Sequence, residues 1–379
     1  MMMTRIVRWA GLAMTLGTAA VACSGGGAEK KADSQTTAAA PTAKGKKFTI
    51  AMIAKSSTNP VFLAARTGAE AAAKEASEKT GLDVQIAWLT PPDEDGQVQA
   101  QRIQQAVNDG ADAILISCSD AGKVNGAIND AVDRGVPVMT FDSDAPQSKR
   151  FAYYGVDDVK TGHLVMQELA KLMDGKGKVA ILAGNQNAPN LQHRVQGVKE
   201  EAAKTPGITI VGTFNHVETP QDAAAEVTRV GNAYPDIQGW AMIGGWALFT
   251  PALLTDLDPK RVKVASVDAL GSELVYVDKG IAPVLLAQPV YQWGYVGVNT
   301  IIDKVHLKKD VPAIIPMDLV KVTKANLGEW ARQLKEWGFN DVPDAYLAAL
   351  AVDHEATLVS LDRGFRRFPG LRLVNPLAA

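Results

Sequence analysis

The sequence predicts an α/β protein built from two doubly wound, Rossmann-like lobes joined by a three-segment hinge. Apolar runs of strand length recur at residues 48–53, 84–89, 113–117, 136–141, 179–183, 208–213, 241–244, 262–267 and 282–287. They are apolar on both faces, the mark of strands in a parallel sheet covered on both sides. Between them lie amphipathic helical patterns such as residues 61–79 and 97–109. Strand and helix in alternation imply βαβ units. From Lys47 onward more than 300 residues have ordinary globular composition, enough for two lobes.

The chain before Lys47 has a different character. Arg5 and Arg8 precede an apolar stretch from Trp9 to Val21, and Ala20, Val21 and Ala22 stand directly before Cys23. A positive start, a short apolar middle and small residues make a secretory signal over residues 1–22. The apolar run is too short for a comfortable membrane span. Residues 24–46 hold Ser, Gly, Ala, Lys and Thr with no apolar periodicity. Such a segment buries too little apolar surface to offset its ordering entropy, so residues 23–46 are expected to be a disordered tether.

Composition also narrows the function class. A formal net charge of -2 argues against nucleic acid as the partner of the folded part. Cys118 has no second cysteine in the folded part, so no disulfide is expected, and its apolar run predicts a buried, inert thiol. His163, His193, His216, His306 and His354 are scattered without metal-ligand spacing. There is no Gly-rich phosphate loop with Lys and no recognisable Ser, His and Asp set, so no metal, cofactor or catalysis is expected.

Ligands of doubly wound sheets bind beyond the carboxyl ends of the strands. That rule selects Asn59, Asp142, residues 184–194, residues 244–246, Asp268 and Gln288. Carboxylates, amides and a guanidinium each satisfy two sugar hydroxyls at once, and aromatic faces cover the C–H faces of the ring. Asp142, Arg194, Asp268 and Gln288 suit a polyhydroxylated small molecule. Asn59 before Pro60 also reads as a helix N-cap. Trp88 and Trp293 read as core aromatics.

At these residues the chain resembles the periplasmic sugar-binding proteins of ABC transporters, of the ribose-binding type, over roughly residues 47–337. Asn59, Pro60, Val61 and Phe62 look like the family's Asn-Pro-x-Phe segment, where the amide and the ring meet the ligand. VPVMTFD at residues 136–142 is similar to the strand ending in a ligand-binding Asp. Arg194 with Gly197 resembles the Arg-x-x-Gly motif that sets a guanidinium on the sugar. VASVD at 264–268 and Ala287 with Gln288 resemble the later Asp and Gln. Two departures point away from ribose and toward another monosaccharide or polyol. Ser143 and Asp144, not Arg, follow Asp142, and Gly244, Gly245 and Trp246 replace an Asn-Asp pair, with Trp246 placed to stack on the ligand.

The resemblance implies a monomer whose lobes close about a hinge over a sugar and deliver it to an ABC permease. It implies an N-terminal lobe of residues 47–156 with 289–317 and a C-terminal lobe of residues 157–288 with 318–338. Small residues before Cys23 resemble a bacterial lipobox, implying lipidation of Cys23 and anchoring to a membrane outside the cytoplasm. Residues 339–379 resemble the end of a PIN-domain toxin ribonuclease, with Asp344 and Asp362 at metal-holding positions. The rest of such a domain has no room here, and two carboxylates alone do not hold Mg²⁺ in octahedral geometry. Metal-dependent nuclease action and a signalling role for the sugar-binding lobes stand as the alternatives.

Overall fold

The structure is a computed structural model describing residues 45–250, 253–254, 257–339, 357–359 and 372–375. Cys23 with the expected signal, and Asp344 and Asp362 of the tail, lie outside the described residues.

The first half of the fold runs β1 (Lys47–Ile53), α1 (Pro60–Thr80), β2 (Asp83–Trp88), α2 (Gly96–Asn108), β3 (Ala113–Ile116), α3 (Ala121–Asp133), β4 (Val138–Phe141) and β5 (Ala152–Gly155). The second runs α4 (Asp158–Leu172), β6 (Gly177–Ala183), α5 (Pro189–Ala202), β7 (Ile208–Asn215), α6 (Pro220–Ala233), β8 (Ile237–Met242), β9 (Lys263–Val267), α7 (Leu274–Asp278) and β10 (Val284–Ala287). Then come α8 (Val290–Ile301), β11 (Ile314–Pro316), β12 (Val320–Val322) and α9 (Leu327–Glu336).

These strands form two six-stranded sheets of the same order, β11-β5-β4-β3-β1-β2 and β12-β10-β9-β8-β6-β7. The chain therefore passes between the lobes three times, after β5, after β10 and after β11. All four residues of β3 and of β4 are buried, as helices on both faces require. Side-chain caps start the helices that follow the strands: Asn59 Oδ1 accepts from the Val61 amide at 3.1 Å, and Asp95, Asp120, Asp157 and Thr219 cap α2, α3, α4 and α6. A separate parallel pair, β13 (Thr357–Val359) with β14 (Arg372–Val374), lies in the tail.

The structure corrects the expected strands in two ways. β8 spans residues 237–242, not 241–244, because the chain leaves the sheet before Gly244 and Gly245 and turns into a short 3-10 segment, Trp246–Leu248. β5, β11 and β12 were not anticipated. Each has three or four residues, too short for periodicity to register, and β11 ends on Pro316, which an edge strand tolerates. β12 is antiparallel to β10, so the second sheet is mixed. This strand enters the sheet from β11 of the other lobe through only three residues.

Two helix pairs in backbone contact lock the lobes. A Cβ at Gly68 of α1 would stand 2.0 Å from the Tyr291 carbonyl oxygen, and one at Gly294 of α8 would stand 1.9 Å from that of Ala65. In α4 and α5 the same holds for Gly162 against Arg194 O and Gly197 against Val159 O, both at 2.0 Å. The second pair fixes where α5 carries Arg194. Alanine is the better helix former by about 1 kcal/mol, yet Gly197→Ala is expected to destabilise the protein by about 1–3 kcal/mol through overpacking. A fall in the urea midpoint at unchanged slope checks this.

Candidate functional site

Asn59, Phe62, Asp142, Arg194, Trp246, Asp268 and Gln288 all line one cavity between the lobes. Its volume is about 20 Å³. Asn59, Phe62 and Asp142 come from the first lobe, Arg194, Trp246, Asp268 and Gln288 from the second or the crossing after β10.

Asp142 and Asp268 occupy equivalent places, each one residue beyond a central strand. Both have left-handed backbone, φ 57° and φ 72°. That conformation costs an L-residue about 1–2 kcal/mol, and it is held because each backbone N–H completes the ladder to the next strand. Asp142 N–H donates to Tyr154 O at 3.1 Å and Asp268 N–H to Leu286 O at 3.0 Å. Each aspartate thus both ends its strand in a turn and lines the cavity. Asn59 is likewise doubly used: Oδ1 caps α1, leaving Nδ2 for the cavity it lines.

The polar groups hold one another in place. Ser117 Oγ donates to Asp142 Oδ2 at 2.7 Å, and Asn190 Nδ2 reaches across from α5 to Asp142 Oδ1 at 3.1 Å. Arg194 donates through Nε to Asp158 at 2.8 Å, through Nη1 to Ile243 O at 3.1 Å and through Nη2 to Gln288 Oε1 at 2.9 Å. Gln288 Nε2 passes the chain on to Asp268 Oδ1 at 2.8 Å, whose Oδ2 accepts from Gly245 N–H at 3.1 Å.

The apolar walls are aromatic. Phe62 stacks on Trp293 with centroids 6.0 Å apart, and Phe141 packs against both at 6.5 and 6.0 Å. Trp246 and Phe249 face them from the second lobe, with Trp246 edge-on to His216 at 5.0 Å. Trp293, read from the sequence as core, is core and wall together: it is buried, yet it lines the cavity and its Nε1 has no hydrogen-bond partner.

Sequence reasoning missed Lys55, Glu218 and Phe249, and reached Asn190 only as one of the selected residues 184–194. Lys55 follows β1 by two residues and Glu218 follows β7 by three, so the strand-end rule covered them too. Lys55 Nζ stands 4.0 Å from Asp142 Oδ2, supplying a first-lobe cation where no Arg follows Asp142. Burial works against the Lys55 charge, but Glu94, Glu218 and Asp142 outweigh it and raise its pKa. For Arg194 too, burial is offset by Asp158, Asp142 and Asp268. Burial shifts Asp268 upward from the ordinary aspartate value, against the pull of Arg194 and Gln288. Asp144 is turned away, held by Arg150 Nη2 at 2.6 Å. Cys118 is fully buried, and burial pushes its thiol up.

Residues 50–309 match the family model described as a periplasmic binding protein domain. The chain belongs to this family. Among its curated relatives is the ribose import binding protein RbsB of Escherichia coli (strain K12), 26% identical over 284 residues, which cover 73% of this chain and 91% of that one. The RbsB protein of Bacillus subtilis (strain 168) is 31% identical over 152 residues, 40% of this chain. That match spans about half of the Bacillus protein, 48% of its length. Among solved structures, an ABC transporter solute-binding protein from Burkholderia graminis C4D1M in complex with D-arabinose has TM-score 0.68 at 27% identity. It covers 76% of this chain and 98% of its own. One from Agrobacterium vitis bound with alpha-D-tagatopyranose also has TM-score 0.68, at 26% identity, over 75% of this chain and 97% of its own.

Asp158, which anchors Arg194, is pushed up to about 7 by burial, with Arg194 opposing. A carboxyl whose folded pKa is raised favours folding most below its unfolded value and loses that advantage as pH rises toward the folded one. The stability of the wild type relative to Asp158→Asn is therefore expected to fall between about pH 4 and about pH 7 by a few kcal/mol, and to level off above. Urea titrations of both proteins across that range measure it.

Proposed function

We propose that this protein is an extracytoplasmic solute-binding protein that captures a monosaccharide or polyol between its lobes and hands it to an ABC importer. The observation that carries this reading is the convergence of Asp142, Arg194, Asp268, Gln288 and Asn59 on one aromatic-walled cavity. Carboxylate, guanidinium and amide groups suit paired hydroxyls, and Phe62, Trp293 and Trp246 suit the apolar faces of a sugar ring. The unpartnered Trp293 Nε1 adds a donor for a ligand oxygen. The relatives named for ribose, and neighbours bound to D-arabinose and tagatopyranose, support the same ligand class.

A cavity of about 20 Å³ has room for little more than a water. A sugar therefore enters only when the lobes part, and the three crossings are the hinge about which they do so. In this reading residues 47–156 with 289–317 and residues 157–288 with 318–338 move as the two bodies. Cys23 carries the lipid anchor, residues 23–46 are the tether, and the monomer presents its closed shape to the permease. In this reading the tail with Asp344 and Asp362 is a gene fusion, a readthrough product or a remnant rather than a working nuclease. A second reading, docking to a sensor instead of a permease, is favoured by likeness to the XylFII-LytSN complex at TM-score 0.67 and 27% identity.

Calorimetric titration with pentoses, hexoses and polyols tests the assignment. At least one is expected to bind, and Asp268→Asn is expected to weaken it by about 10- to 100-fold, the loss of charge-assisted hydrogen bonds. No heat with any of them would remove the sugar assignment.

A further inference from the structure

Outside the inner cavity the cleft opens into a second, larger one of about 820 Å³, and Glu218 lines both. Glu94 and Ser119 line it from the first lobe, His216 and Glu218 from the second. Its lining is rich in acceptors. Ser119 is 1% exposed, and its Oγ has no hydrogen-bond partner. His216 Nδ1 lies 2.7 Å from the Val217 carbonyl oxygen, which only accepts, so Nδ1 carries the proton. Nε2 of the neutral ring is then an acceptor, buried and without a partner. Burial lowers the His216 pKa and keeps that ring neutral. Both Glu94 oxygens are buried, and the Glu218 carboxyl and the Asn185 side chain are the hydrogen-bonding groups beside them.

We propose that this outer cleft is a subsite for a protonated amine carried by the bound sugar, seated between the Glu94 and Glu218 carboxylates with His216 Nε2 and Ser119 Oγ as further acceptors. The proposal rests on the sugar-binding reading and names a ligand class within it, an amine-substituted sugar. An ammonium group offers three donors and no acceptor, the complement of this wall. The other charged groups facing the cleft strengthen the preference: Asp93, Asp95 and Asp120 line it against Lys123 alone. Lys55 stands behind, 4.0 Å from Asp142, and its charge bears on Glu94 and Glu218 as well.

Without an amine, the two carboxyls face each other and one proton serves both. Burial and the charge of Glu218 raise Glu94 well above the usual carboxylate range. Glu218 is held low, its burial outweighed by Lys55, by Glu94 and by the Asn185 N–H that donates to Oε1 at 2.8 Å. Seating the ammonium requires both carboxylates ionised, so the proton on Glu94 leaves to solvent as the amine binds. Amine affinity therefore rises with pH through the raised Glu94 pKa, until the amine itself loses its proton.

The test is calorimetry on the full chain with matched pairs, the 2-aminoethyl and 2-hydroxyethyl glycosides of D-ribose, D-arabinose, D-galactose and D-glucose. At about pH 8 the amino member of at least one pair is expected to bind about tenfold or more tightly than its hydroxyl partner, the scale of a charged hydrogen-bonded contact. The advantage is expected to shrink toward about pH 5, with proton release seen as a dependence on buffer ionisation heat. Glu94→Gln, its fold checked by its melting midpoint, is expected to lose both the advantage and its pH dependence. Equal affinity within every pair that binds, or an advantage indifferent to pH and to Glu94→Gln, would overturn the amine subsite and leave the sugar reading standing. Absence of binding by every glycoside and every parent sugar would overturn both.

Discussion

The Arg194 guanidinium is the group on which the rest of the site depends. It is buried, and a buried cation is tolerated only when its donors are met and its charge is balanced. Asp158 on α4, Ile243 at the end of the β8 segment and Gln288 at the crossing after β10 supply the acceptors, and Asp142 of the other lobe lies 3.9 Å away. One side chain thus ties together α4, α5, the ends of β8 and β10 and the facing lobe. The glycine contact between α4 and α5 follows from the same demand. Without the close approach at Gly162 and Gly197, Asp158 and Arg194 would not meet at 2.8 Å.

The two lobes solve one problem twice. Each ends a central strand on an aspartate in left-handed backbone, with the amide still paired to the neighbouring strand. The sheet tolerates the strain because the ladder continues past it, and the carboxylate is delivered to the cleft. The partners then differ. Asp142 is held by Ser117 and by Asn190 from the opposite lobe, Asp268 by Gln288 and a Gly245 amide. The Gly245 amide stands close because Gly244 and Gly245 carry the chain out of the sheet there.

Much of this was legible from residue order. The strand-end rule found Asp142, Asp268 and Gln288, and the segment of residues 184–194 contained Asn190 as well as Arg194. Lys55 escaped because lysine is ordinarily a surface residue, and only its carboxylate neighbours make its burial tolerable. Glu218 escaped because its significance lies in facing Glu94 from the other lobe, 124 residues away in the chain. Asn59 caps α1 through Oδ1 and also lines the cavity, since a planar amide has two ends, and Trp293, read as core, lines it too, since a large ring has two faces.

The sequence by itself determined the alternation of strand and helix, the two-lobed α/β class and the strand-end positions from which a site is built. These are local matters, set by side-chain period and by caps such as Asn59 and Asp157. Tertiary structure alone decided which of those positions meet. The return of β11 and β12 across the hinge, the antiparallel edge, the Asn190 bridge to Asp142 and the pairing of Lys55 with that carboxylate all depend on contacts between distant segments. No local pattern encodes such contacts, because they join distant segments, where aromatic surface leaves water and each buried charge is tolerated only beside its balancing partner.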